Sequence, residues 1–438
     1  MEKITLANRT PRMRDLESIA GMAISRDWRK VIQRYIDEGR SVSGAAAGGQ
    51  MNPAQLNAAQ RAAVLANGVE MIQQIFSTTL AGTLTSANAV VNVVPRNVGL
   101  IKRFIVEISG TFNNTDGAAA STATQFGLAN LLSSVIFNDL NNNQRINTFG
   151  PHLALLKQVK TKTVDPSARP VSSVQSDTIL AGQFAASGSA PNFGVLAYPL
   201  PAKGANAPFR AVFDVPLAYS DIDLRGAIYA NVVNATMQLQ LNLNANPSPA
   251  SSDLTFAVWG TAAGNISNVT VTVYQVYLDQ LPVGQNGVIL PILDLSTVYE
   301  LKTTNFTAIP SGQDFPFSYA NFRDFLSTIA VFNSTGATAG LKAGSDVNYW
   351  ALQSANFTNI FKIDPLLAAQ FAREIIAADL PLGTYYFSHR KKPISTTQYG
   401  NMQLVLNAIS VSGSPYVQIF WEDFALVNTL TQAGSLAG

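Results

Sequence analysis

Two histidines, a few close carboxylate pairs and one basic cluster are the residues of this chain that could do chemistry. His152 and His389 are its only histidines, and a histidine acts as base, proton carrier or metal ligand only with a partner placed beside it. Neither stands in an H-E-x-x-H pattern, and the chain has no cysteine to supply a thiolate. His152 follows Pro151 at the start of an apolar run, and His389 opens His389-Arg390-Lys391-Lys392, so both read as surface or turn residues. Asp139-Leu140-Asn141-Asn142-Asn143 opens like a calcium loop, yet Gln144 stands where glycine is required and no glutamate closes the loop. A β-turn between Ile136 and Ile146 accounts for it. The pairs Asp221/Asp223 and Glu422/Asp423 are close in sequence, which fixes no geometry across a β domain. Phosphate-loop, nucleophile-elbow and dinucleotide patterns are absent. The expectation is a chain that is no enzyme and holds no cofactor or metal.

Composition points the same way. Charged residues make up 13% of the 438, with 47% apolar and a net charge of +2, against about 25% charged in ordinary soluble proteins. A solvent-facing surface needs more charge than this, so copies of the chain or other partners are expected to cover much of it. Near-neutral charge argues against sequence-specific nucleic-acid binding, which needs clustered Lys and Arg. Arg9, Arg12, Arg14 and Asp15 interrupt any signal-peptide core, and no window reaches the ~18 apolar residues of a membrane span.

The elements that would position these residues are of two kinds. Leu16, Ile19, Ala20, Ala23, Ile24, Trp28, Val31, Ile32, Tyr35 and Ile36 recur at helical spacing, with Arg26, Arg29, Lys30 and Arg34 among the polar positions and Gly39 as a stop. Such a helix packs on its own domain, lies on a membrane or enters a partner's groove. Residues 41–50, SVSGAAAGGQ, are a linker by composition. A second helix is expected from Asn52 as N-cap and Pro53 through Leu56, Ala59, Ala63, Met71, Ile72, Ile75 and Phe76, with Arg61 and Glu70 its only charges.

From about residue 87 the period becomes that of strands, broken by Asn, Gly, Pro and Ser as in sandwiches and barrels. Two runs starting at Pro151 and Pro365 are short helices with proline in the first turn. They belong to an internal duplication. Phe112-Asn113-Asn114-Thr115 matches Phe332-Asn333-Ser334-Thr335, and Met237-Gln238-Leu239-Gln240-Leu241-Asn242 matches Met402-Gln403-Leu404-Val405-Leu406-Asn407. Aromatic strands at residues 269–278 and 416–424 close the two halves. The order is the same in both, which predicts two similar β domains in tandem.

Between them runs residues 276–299, two apolar strands around a turn built from Pro282, Gly284 and Gly287 and bracketed by Pro291. These four residues are expected to make a stiff connection between the domains. This segment closely resembles the major coat protein of tectiviruses, and so do Val215-Pro216-Leu217-Ala218-Tyr219-Ser220, residues 326–332, Ala355-Asn356-Phe357, Asp364-Pro365 and Gln398-Tyr399-Gly400-Asn401. The likeness covers roughly Asn52 to the C-terminus. It implies an all-β double jelly roll of two tandem eight-stranded sandwiches, of the adenovirus hexon lineage, three chains of which form a pseudo-hexagonal capsomer of an icosahedral shell. It further implies contacts between neighbouring trimers, with penton and minor capsid proteins, and, through the N-terminal helices, with an inner viral membrane. The division expected is an extension over 1–50, a basal helix over 51–85, a first jelly roll over 86–280, and the connection, second jelly roll and tail over 281–438. Residues 1–50 have no counterpart in the family. Arg26, Trp28, Arg29, Lys30, Arg34 and Arg61 are the candidate membrane or internal contacts. The rival readings are a trimeric spike or receptor-binding sandwich and a sandwich lectin or glycan hydrolase.

Overall fold

The computed structural model describes residues 64, 68–115, 124, 126–161, 179–180, 206–220, 223–230, 236–247, 256–258, 264–280, 297–336, 344–355, 357–376, 380, 382–389 and 393–426. Apart from three two-residue strands, its strands fall into two sets of eight. The first is β1 (Val69–Thr79), β2 (Val90–Val93), β3 (Leu100–Asn114), β4 (Leu132–Asn138), β5 (Gln144–Thr148), β6 (Asn206–Pro216), β7 (Gln238–Leu243) and β8 (Gly264–Asp279). The second is β9 (Thr297–Thr307), β10 (Asp314–Ser318), β11 (Arg323–Asn333), β12 (Val347–Ser354), β13 (Phe357–Ile363), β14 (Thr384–Ser388), β15 (Met402–Ala408) and β16 (Tyr416–Leu426). Helix α1 (Gly150–Thr161) joins β5 to β6, and α2 (Pro365–Ile376) joins β13 to β14.

The two sets share one wiring. The long strands form the sheets β1-β8-β3-β6 and β9-β16-β11-β14, and the short ones β2-β7-β4-β5 and β10-β15-β12-β13. Strand for strand, β1 to β8 correspond to β9 to β16, and each barrel carries its helix after its fifth strand. This is the jelly roll, twice.

Period-2 patterning sets each strand's faces. In β3, Phe104, Val106 and Ile108 are buried while Ile105 and Glu107 turn outward. In β8, Val269, Val271 and Val273 point in and Thr270, Thr272 and Tyr274 point out. The first core is mainly Val, Ile and Leu. The second is aromatic, built on Phe317, Tyr319, Phe325, Trp350 and Trp421, with Phe317 6.1 Å from Trp350 and Tyr319 4.8 Å from Trp421. Asp364 accepts a hydrogen bond from the Leu367 amide at 2.8 Å, which caps α2 just before Pro365.

The helix expected through Phe76 is corrected by the structure. Met71, Ile72, Ile75 and Phe76 lie on β1, antiparallel to β8 over the whole strand. A bulge between Gln74 and Phe76 shifts the register by one, so two apolar pairs of a period-2 strand acquire the spacing of a helix face. The part of that element before residue 64 lies outside the described residues, as does the helix expected over 16–36.

Candidate assembly site: the seam between the barrels

The two barrels are joined through the backbone. Strand β5 of the first pairs in parallel with β9 of the second, Ile146 opposite Leu301 and Asn147 opposite Lys302. The short sheet of the first barrel thereby runs on into the long sheet of the second as one nine-stranded sheet. Leu301 is fully buried and, with Tyr299, Leu326 and Phe424, completes the first barrel's core from the second barrel's strands.

An apolar layer reinforces this pairing. Ala154, Leu155 and Val159 of α1 pack on Ile329 and Val331 of β11, Tyr386 of β14 and Phe420 of β16. His152 is fully buried, its ring stacked on Phe420 at 4.9 Å between centroids and 12° between planes. Each large apolar side chain removed from water here contributes about 1.5–3 kcal/mol. Gly226 of the first barrel sits so close to the second that a Cβ would lie 2.3 Å from the Tyr299 Cβ, and its φ of +87° disfavours any other residue.

A buried polar network crosses the same seam. Lys160 of α1 donates to the Tyr219 carbonyl at 2.7 Å and the Tyr299 hydroxyl at 2.8 Å, and lies 3.2 Å from Glu422. Glu422 is fully buried and also accepts from Tyr299 at 2.8 Å and from Ser327. A buried carboxylate is tolerated only when its lone pairs are filled in this way. Thr148 bridges His152 Nδ1 at 2.6 Å and the Thr303 hydroxyl at 2.7 Å. Burial pulls the His152 pKa down to about 3, against the opposing pull of Glu422, so the ring is neutral.

On the opposite face of β16, Asp423 bonds Arg323 at 2.6 Å, and Arg323 also holds Glu300, which pairs with Lys302. Burial, aided by Glu300 and opposed by Arg323, pushes the Asp423 carboxyl up to about 7. Neighbours in sequence, Glu422 and Asp423 therefore serve separate networks. Asp223 is held by Arg225 at 2.6 Å. Both Asp139 oxygens are engaged, one by the amides of Asn141 and Asn143 and the other by Arg145 at 2.7 Å. Among the described residues no group of three or more acidic or histidine side chains could hold a metal.

The structure moves His152 from the surface, where sequence reading puts it, into the seam, because the apolar run after Pro151 is buried against two barrels at once. His389 stands half-buried directly after β14, outside any strand, with its Nε2 turned inward, and burial draws its pKa down to about 4. Arg26, Trp28, Arg29, Lys30, Arg34 and Arg61 lie outside the described residues, as do Pro282, Gly284, Gly287 and Pro291. Sequence reasoning missed Lys160, Tyr299 and Ser327. The available signal was Glu422, a charge inside the apolar run Ile419-Phe420-Trp421, which needs a buried cation somewhere in the fold.

Comparison with known proteins agrees with this architecture. Family models described as P3 major capsid protein N-terminal and C-terminal match residues 55–281 and 296–438. The chain is 36% identical to "Major capsid protein P3" of Enterobacteria phage PRD1 over 395 residues, covering 87% of this chain and 94% of that protein. Among solved structures it is similar to the STIV MCP, with TM-score 0.57 and 11% identity over 82% of this chain and 97% of that one. A chain from the atomic structure of Sulfolobus Turreted Icosahedral Virus matches at TM-score 0.55 and 11% identity, over 82% and 91%. At that identity the likeness is one of fold, and the fold is the double jelly roll of viral major capsid proteins. A duplicated jelly roll, fused across a buried seam and matched along most of its length by a phage coat protein, belongs to the P3 major capsid protein family, a family of structural subunits of the icosahedral virion shell and not of enzymes.

Proposed function

We propose that the chain assembles as a homotrimer, a six-cornered tile of the shell, and that the seam is what makes each chain a two-cornered rigid piece of it. The observation that carries this reading is the parallel pairing of β5 with β9, backed by a shared core. A flexible linker would let the barrels swing, whereas a continuous sheet fixes their angle, and three fixed pairs close into a ring. The division read from sequence moves at one boundary: an extension over 1–50, a basal segment that ends before β1, a first jelly roll that begins with β1 at Val69 and runs to 280, and the connection, second jelly roll and tail over 281–438, with Pro282, Gly284, Gly287 and Pro291 stiffening the connection. Neighbouring trimers, penton and minor capsid proteins are the further partners. Residues 1–50 face an inner membrane, where Arg26, Arg29, Lys30 and Arg34 each contribute about 1 kcal/mol on anionic lipid.

Light scattering on the purified chain tests the trimer. A mass of three chains at micromolar concentration is expected, and a stable monomer contradicts the proposal. For the membrane, the full chain is expected to float with anionic vesicles at low salt and a chain lacking residues 1–50 to remain behind. Equal flotation of the two overturns that assignment.

A further inference from the structure

The seam has a second half that the described residues of the single chain leave unused. Strand β5 has β9 on its outer edge, but its counterpart β13 pairs, among the described residues, only with β12. Strand β9 has β5 on its outer edge, but its counterpart β1 pairs, among the described residues, only with β8. The helices show the same contrast. Helix α1 buries Ala154, Leu155 and Val159 on the long sheet of the second barrel. Helix α2 shows Leu366 80%, Phe371 44% and Leu367 36% exposed. Among the described residues one copy of the joint is made, and both parts of another have no strand on their outer edges.

We infer that β13 of one chain pairs in parallel with β1 of a second copy, repeating the seam between chains, and that α2 then lies on the second copy's long sheet as α1 lies on its own partner barrel. The inference rests on the homotrimer proposed above. It adds which edges meet and in what register.

The duplication fixes that register. Leu239 and Leu404 are equivalent in the repeated Met-Gln-Leu run. Leu239 stands opposite Phe137 and Phe137 opposite Ile146, while Leu404 stands opposite Leu352 and Leu352 opposite Phe361. So Phe361 takes the place of Ile146, and Lys362 that of Asn147. Across the other sheet, the equivalence of Phe112 and Phe332 makes Ser109 the counterpart of Ile329. Ser109 stands opposite Thr270 and Thr270 opposite Thr79, while Ile329 stands opposite Phe420 and Phe420 opposite Thr303. So Thr79, Thr78 and Ser77 take the places of Thr303, Lys302 and Leu301. The contact that joins Ile146 to Leu301 and Asn147 to Lys302 becomes Phe361 to Ser77 and Lys362 to Thr78.

The chemistry of the receiving surface suits a contact formed after folding. On the long sheet of the first barrel Ser77 meets Thr272 at 3.2 Å, Thr79 meets Thr270 at 2.9 Å, and Arg210 pairs with Glu107 at 2.8 Å. Such a face is soluble in the free subunit. Leu366 and Phe371 supply the apolar anchors, and the outer edges of β13 and β1, which carry no neighbouring strand among the described residues, supply backbone hydrogen bonds, the two parts of a strand-addition interface.

Because the chain has no cysteine, the register is testable by cross-linking. Opposite residues of paired strands lie within disulfide reach. The double variant Thr78→Cys, Lys362→Cys is purified reduced, sized by light scattering and then oxidised. The expected result is a ladder on a non-reducing gel that ends at three chains, with each single variant staying at one. Asn147→Cys with Lys302→Cys reports the template, cross-linking within a chain and leaving the gel mass unchanged. Phe371→Asp, on a helix face exposed in the single chain, is expected to keep the near-ultraviolet circular dichroism of the folded state and lose the trimer. A trimer by scattering that gives no ladder, or a ladder from Lys362→Cys alone, overturns the inference and leaves the trimer standing. A monomer by scattering overturns both.

Discussion

The long sheets of the two barrels share a strand order and differ in what faces away from their cores. The second presents Ile329, Val331, Tyr386 and Phe420, all buried under α1. At the matching rows the first presents Ser109, Thr111, Arg210 and Thr270, half-buried or exposed. The architecture is duplicated and the chemistry has diverged. A contact made within one chain is formed as the chain folds and never stands in water, so it can be as apolar as a core. A surface that the described residues leave uncovered must keep the subunit soluble, so it carries hydroxyls and ion pairs, Arg210 with Glu107 and Arg103 with Asp214.

Substitutions separate the two sheets, and the largest effect is expected where charge is buried in the closed one. Lys160→Met strands Glu422, and breaking a buried pair from one side costs about 3–5 kcal/mol; urea unfolding should show an unfolding free energy lowered by that amount, read as a lower midpoint at unchanged slope. Gly226→Ala forces a methyl group against Tyr299 at a positive φ, a combination costing roughly 3 kcal/mol, again read by urea. On the open sheet the equivalent experiments are small. Arg210→Ala removes a pair whose arginine is 50% exposed, and exposed pairs contribute about 0–1 kcal/mol. A loss from Arg210→Ala as large as that from Lys160→Met in the monomer erases the distinction.

Acid sharpens it further, because His152 in the seam and Asp423 on the opposite face of β16 respond to pH in opposing senses. The folded-state pKa of His152 is about 3, below the ordinary 6.5. Folding therefore excludes its proton between those values: this stability is complete above 6.5 and lost as the pH falls. Asp423 is the reverse, raised from 3.8 to about 7. Between those values the folded state holds the extra proton, and stability is lost as the pH rises. Each slope is about 1.4 kcal/mol per pH unit. His389, drawn down to about 4, adds to the acid loss. Urea midpoints between about pH 4.5 and 6.5 should show less acid loss for His152→Asn than for the wild-type chain, and more for Asp423→Asn. The opposite order contradicts the burial assigned to the two groups.

Much of the fold was legible because strands advertise themselves by period 2 and the duplication repeats it. The runs Phe112-Asn113 and Phe332-Asn333 end corresponding strands β3 and β11, and the helices at Pro151 and Pro365 follow corresponding strands β5 and β13. The strand β1 was not legible, since its bulge at Gln74/Phe76 disguises its period. The seam was not legible either. It is made by residues far apart in the chain, Lys160 with Glu422 and Thr148 with Thr303, and periodicity carries no information about pairing between barrels. His152 was misread for the same reason: a helix of twelve residues buried against two barrels looks, by its sequence, like one buried against one.

The central claim is that the barrels form one piece because β5 and β9 are a continuous part of one sheet. Native-state hydrogen exchange tests it directly at residues 146–147 and 301–302. The account predicts that amides of this pairing exchange as slowly as those of β3 and β16 in the barrel centres, opening only with global unfolding. Exchange there orders of magnitude faster than in either barrel would mean that the barrels part while each stays folded, and would contradict it.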